Sequence, residues 1–205
     1  MKLFYCDTLQ PRKVCAAARY LKAPVEFVFV DLGKGEHVMP GFVTLNPNRK
    51  VPVLVHGEKV LWESDAILCE LAREAGPELW PKGEDGAIEL VKWFSWNAHH
   101  FNRAGGSLYF EYVIRPRFNL GPPDAPMVEE SLKDFRKFAR VLDDHLAGRK
   151  WLMGDQLTIA DFSVGVPLPY AEASRMPVGE FPNLARWHDR LSELDGWLDP
   201  WPARA

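Results

Sequence analysis

Glu63-Ser64 is the pair whose residue types and placement point most directly to binding chemistry. Ser64 opens a stretch with Ile67, Leu68 and Leu71 on one face, so it falls at the N-terminus of a predicted helix. There the backbone N–H groups lack intrahelical acceptors, and the positive end of the peptide dipoles favours an anion. Glu63 beside it offers a carboxylate to a cation. The alternative is that Ser64 only caps its helix. A second constellation, Thr158-Ile159-Ala160-Asp161, has the spacing of a capping box, with Leu157 and Phe162 as its hydrophobic staple. Both polar side chains are then committed to backbone groups, which makes their role structural. His99 and His100 are adjacent, so on a helix they point about 100° apart and cannot share a metal. Cys6, Cys15 and Cys69 are odd in number and widely spaced, matching neither a disulfide framework nor a zinc site. With no C-x-x-C, a two-cysteine redox cycle is excluded.

Residues 2–6 read as a short strand. After the break Asp7-Thr8-Leu9-Gln10 comes Pro11, a favoured first helical residue. Val14, Ala17, Ala18 and Leu21 supply an apolar face, and Pro24 ends the helix. Val25 to Val30 alternates as a strand. A weakly patterned stretch follows Gly33–Gly35, after which Val51–Val55 and Lys59–Trp62 flank His56-Gly57-Glu58 as a β-hairpin. The Ser64 helix runs to about Arg73, closed by Gly76-Pro77. Residues 81–87, polar and rich in breakers, read as an exposed interdomain linker. Beyond them helical patterns cover roughly 87–104, 127–147, 158–173 and 183–194, with Pro167 and Pro169 expected to kink or interrupt the third. The expectation is an α/β domain over 1–80 and an all-helical domain over 88–205.

A chain of 205 residues exceeds the usual domain size of ~100–150, which agrees with two domains. With 47% hydrophobic residues, 8 Trp and 12 Phe, it has material for a packed core. A net charge of −3 lacks the basic excess that nucleic acid or an anionic membrane surface would require. No apolar run approaches ~18 residues, and Leu3-Phe4-Tyr5 after Met1-Lys2 is too short for a signal segment. A soluble, cytoplasmic protein with reduced thiols is expected.

Val51-Pro52-Val53-Leu54, then Glu63-Ser64-Asp65-Ala66-Ile67, then Leu157 to Phe162 together resemble the cytosolic glutathione transferases in order and spacing. Asp31 to His37, continuing to Asn46-Pro47-Asn48-Arg49-Lys50, is similar to the insect delta class and the bacterial nu and beta-type classes. The resemblance implies a thioredoxin-like first domain of βαβββα type with a mixed sheet, an all-α bundle as second domain, and a homodimer. It implies a detoxifying transferase that binds glutathione as co-substrate, holds it as thiolate and passes it to a small hydrophobic electrophile, without a metal. A glutathione-dependent disulfide or peroxide reductase, or a non-catalytic interaction and stress module of the same fold, stands as the alternative.

By the same resemblance Pro52 is cis and the backbone of Val51 pairs with the cysteinyl unit of glutathione. Ser64 takes the γ-glutamyl carboxylate, Glu63 the α-ammonium, and His37 with Lys50 the glycyl carboxylate, with Arg49 in reserve. Anchoring on Arg12-Lys13-Val14 puts Thr8 where the family carries its activating Ser or Cys. Gln10, matching an amide residue of the nu class, and Cys6 are the alternates. A thiol of pKa ~8.5 needs ~2.7 kcal/mol of preference for its anion to titrate ~2 units lower. A hydroxyl donor, the first helix's free N–H groups and its dipole would supply that together. Trp96, His100 and Tyr109 are the expected acceptor-pocket walls, chosen from a pool with Trp93, His99 and Tyr112.

Overall fold

The computed structural model describes residues 1–203. Contact density divides the chain into two compact units, Met1–Trp80 together with the segment from Leu194, and Pro81–Glu193. The C-terminal segment expected in the helical domain thus groups with the first unit.

In that unit the order is β1 (Lys2–Tyr5), α1 (Leu9–Tyr20), β2 (Glu26–Phe29), α2 (Pro40–Leu45), β3 (Val53–His56), β4 (Lys59–Trp62) and α3 (Ser64–Ala75). The sheet runs β2-β1-β3-β4, with β1 parallel to β2 and the other pairs antiparallel. This is the mixed sheet of a thioredoxin-like domain. Val14, Ala17 and Ala18 of α1 and Ile67, Leu68 and Leu71 of α3 are buried with Leu3 and Leu54 of the sheet. Gly76 makes the end of α3 compatible with α1, since a Cβ there would lie 2.1 Å from Leu21 Cδ2. A separate apolar cluster of Val30, Phe42 and Val53 is joined by Phe4, Leu32, Leu45 and Val51.

Two boundaries and one stretch differ from expectation. Helix α1 begins at Leu9, two residues before Pro11, because the first turn has no intrahelical N–H acceptors to lose and tolerates proline. Val51 and Pro52 precede β3 instead of opening it. The weakly patterned stretch holds a 3-10 turn (Glu36–Val38) and the six-residue α2, elements too short to show helical periodicity.

The second unit contains α4 (Gly83–Trp96), α5 (Asn102–Tyr109), α6 (Arg115–Arg117), α7 (Ala125–His145), α8 (Ile159–Gly165) and α9 (Pro182–Ser192). Most of the stretch read as linker over 81–87 is helical, from Gly83. Two π-helical turns, Asn97–Phe101 and Phe110–Ile114, join α4, α5 and α6 into one helical run. The run passes through Gly105-Gly106, where the sequence pattern faded, and Gly105 packs closely there: an added Cβ would sit 3.0 Å from Pro167 Cβ. Helix α8 stops at Gly165, before Pro167 and Pro169. Its start is the expected capping box, with Thr158 N–H donating to Asp161 Oδ2 at 2.9 Å. Asp161 also accepts from Leu152 N–H (2.8 Å) and Trp187 Nε1 (2.9 Å), so one buried carboxylate joins α8, α9 and the loop before them. Burial pushes its carboxyl up to about 6, against the downward pull of these bonds. Among the described residues no helix is long and apolar enough to cross a membrane.

Candidate functional site

Thr8, Leu32, His37, Arg49, Lys50 and Val51 line one cavity of about 240 Å³ in the first unit. Four of the residues nominated from sequence, Thr8, His37, Lys50 and Val51, therefore converge from three separate loops.

The loop geometry follows from local chemistry. Asp31 N–H donates to Glu36 Oε2 (2.8 Å) and Lys34 N–H to Asp31 Oδ1 (3.1 Å), folding the Gly-containing turn back so that His37 follows on the 3-10 turn. The Lys34 backbone bond holds the Asp31 carboxyl below its ordinary value. On the other side buried Asn46 donates through Nδ2 to Lys50 O (2.7 Å) and accepts from Asn48 N–H (3.0 Å). Arg49 adopts φ 57, and the Val51–Pro52 bond that follows is cis. The cavity thus carries the basic groups His37, Arg49 and Lys50. His37 Nδ1 is buried and has no hydrogen-bond partner among the described residues.

Thr8 is the N-cap of α1, yet its hydroxyl makes no capping bond. A cap side chain bonds the N–H of the second or third helical residue, and here the third is Pro11, which has none. The Thr8 oxygen is therefore not committed to its own helix, and the Leu9 and Gln10 N–H groups lie in the turn that lacks intrahelical acceptors. The two alternates are placed elsewhere. Cys6 is 1% exposed and its thiol lies 3.3 Å from Asp7 Oδ1. Gln10 turns its amide oxygen to Ser64.

Ser64 is the first residue of α3, not its cap, and its hydroxyl donates to Gln10 Oε1 at 3.2 Å. The reading of Ser64 as a simple cap is thereby corrected: that position belongs to Glu63. Glu63 holds φ 70 and ψ 115, a left-handed backbone uncommon for a residue with a side chain and one that concentrates at functional sites. Next to Ser64, Asp65 meets Lys13 Nζ at 2.6 Å. Sequence reading missed both contacts, since each spans more than fifty residues and no local pattern reports it.

In the second unit the three nominated wall residues do not form one surface. Trp96 and His100 meet Phe138, with ring centroids 6.3 and 4.7 Å away, in a packing cluster. Tyr109 is buried against Tyr170 at 4.7 Å. A cavity of about 640 Å³ lies instead among Tyr112, Pro116, Val128, Leu132 and Arg175, with the Arg175 guanidinium 4.5 Å over the Tyr112 ring. Of these only Tyr112 was in the sequence-derived pool. Elsewhere His56, Glu70 and Glu74 bring ligand-type atoms within 4.8 Å of one another, but Glu70 Oε1 is bound by Lys59 Nζ (2.9 Å) and Arg73 (2.8 Å), which compete with any cation.

Residues 3–73 match the family described as Glutathione S-transferase, N-terminal domain, and residues 106–195 the corresponding C-terminal domain. Glutathione S-transferase 3 of Zea mays is 35% identical over 174 residues, covering 82% of this chain and 77% of that protein. Glutathione S-transferase hmp2 of Hypomyces subiculosus is 30% identical over 203 residues, with 95% and 94% covered. Among solved structures, glutathione S-transferase III in its apo form superposes with a TM-score of 0.84 at 29% identity, covering 100% of this chain and 99% of that one. Both halves of the chain and its full-length relatives agree: this protein belongs to the glutathione S-transferase family and is a transferase enzyme.

Proposed function

We propose that the chain binds glutathione in the cavity beside Thr8 and transfers it, as thiolate, to a small hydrophobic electrophile. The observation that carries this reading is the convergence of Thr8, His37, Lys50 and Val51 on one cavity in a chain of this family. In this reading the glycyl carboxylate meets His37 and Lys50, and the orphaned His37 nitrogen gains a partner. The cysteinyl unit pairs with the Val51 backbone before Pro52. The γ-glutamyl carboxylate takes the N–H groups at the start of α3 and draws the Ser64 hydroxyl away from Gln10, and Glu63 accepts the α-ammonium.

The thiol then lies near the start of α1. Its proton leaves to solvent, and the sulfur anion is stabilised by the Thr8 hydroxyl, the free N–H groups of the first turn and the helix dipole. Sulfur attacks the electrophilic carbon, a C–S bond forms, and the leaving group departs with its electron pair. The reductase alternative drew on Thr8 together with the Gln10 amide, whose oxygen here accepts from Ser64. Transfer is the reading retained because the similar curated proteins are glutathione S-transferases.

A cytoplasmic homodimer completes the reading. It is supported by exposed apolar side chains on both units, Val60 and Trp62 on β4 and Ile88 and Val91 on α4, at 39–69% exposure. The direct test of the function is calorimetric titration with glutathione followed by conjugation of a chlorinated nitroaromatic acceptor. Binding with turnover is expected, and binding absent at millimolar glutathione would overturn the assignment.

A further inference from the structure

Lys13 is 2% exposed, five residues beyond the Thr8 cap, and its ammonium contacts Asp65 at 2.6 Å. Burying an ammonium is costly unless an opposite charge meets it, and Asp65 supplies one. Asp65 in turn directly follows Ser64 in the first turn of α3. An acidic group there suits the helix dipole, but a bare one would repel any ligand carboxylate held at Ser64. Residues 10 and 13 share a face of α1, three apart, and grip neighbouring residues 64 and 65 of α3.

We propose that Lys13 is a positioning residue for the γ-glutamyl carboxylate. It acts by neutralising the charge of Asp65 beside the Ser64 end of α3, without touching the ligand. The proposal rests on the reading above that Ser64 receives this carboxylate. It assigns the site a counter-ion that the glutathione-contacting residues do not include.

Lys13→Met, Asp65→Asn and the double variant of the full chain test it, with two probes measured by calorimetry. One is glutathione, and the other is 4-aminobutyryl-cysteinyl-glycine, which lacks only the α-carboxylate. The wild type itself tests the underlying reading: glutathione should bind more tightly than the analogue, and equal affinity or no binding would remove both that reading and this proposal. Given that difference, Lys13→Met should weaken glutathione about tenfold and the analogue less than about twofold, because the α-carboxylate held at Ser64, which the analogue lacks, is the ligand group that the exposed charge of Asp65 repels. Asp65→Asn should leave glutathione affinity unchanged or raised, and the double variant should return to within about threefold of wild type. Equal weakening of both probes would reduce Lys13 to a packing role and overturn the proposal. Should Lys13→Met fail to fold, the other two variants decide: retained glutathione affinity supports the proposal, and loss in both contradicts it.

Discussion

At the scale of single residues, the candidate site was legible where the chemistry is carried by position along the chain. Thr8, His37, Lys50 and Val51 could be nominated from motif order, and they share a cavity. What sequence could not reveal is which polar groups meet across the fold. Gln10 looked like a neighbour of Thr8, but its amide oxygen accepts from Ser64, 54 residues away. In the free chain the Ser64 hydroxyl donates to Gln10, and in the proposed complex that donor turns to the carboxylate beside the helix N–H groups. Replacing Ser64 by alanine removes one polar contact and keeps the backbone donors. Ser64→Ala should therefore weaken glutathione binding by ~1–3 kcal/mol and leave the melting temperature nearly unchanged. Calorimetry giving wild-type affinity would remove Ser64 from the site.

At the scale of elements, strands and long helices were legible because their periodicities of two and 3.6 persist over enough residues. Helix α2 was missed because six residues cannot show a period, and the run through Gly105-Gly106 was cut short because glycine reads as a break unless a close neighbour such as Pro167 is known. The capping box at Thr158 and Asp161 was legible in full as a local motif, but the reach of Asp161 to Leu152 and Trp187 was not. That reach makes a pH prediction. Burial raises the Asp161 carboxyl from 3.8 to about 6, so between these values the folded chain holds a proton that the unfolded chain has released. The contribution of Asp161 to stability is therefore highest below pH 3.8 and falls as pH rises through about 6. Urea melts at pH 4, 5 and 6 should show stability rising less steeply with pH in wild type than in Asp161→Asn. Parallel profiles would show that the hydrogen bonds donated to Asp161 offset burial and keep its carboxyl at the unfolded value.

At the scale of the whole molecule, the sequence suggested an α/β domain followed by an all-helical one, but the stretch read as linker is largely helical and the return of the C-terminal segment to the first unit was not legible. Trp197 is fully buried there, Arg12 donates to the carbonyls of Trp197 and Leu198 at 2.5 and 3.1 Å, and Trp201 stacks on Tyr5. These residues lie in a proline-punctuated coil with no periodic pattern, so only tertiary contacts define their place. The exposed apolar side chains of β4 and α4 point to self-association, and light scattering should return twice the chain mass of 23.4 kDa. A monomeric mass at micromolar concentration would contradict the dimer. The central claim, that this chain holds glutathione as a thiolate beside Thr8, is tested most directly by the ultraviolet thiolate absorbance of the bound tripeptide across pH. The account predicts an apparent pKa below the free-thiol value of ~8.5 in wild type and a rise toward that value in Thr8→Val, with glutathione affinity retained. A bound thiol that titrates at its solution value in wild type would contradict it.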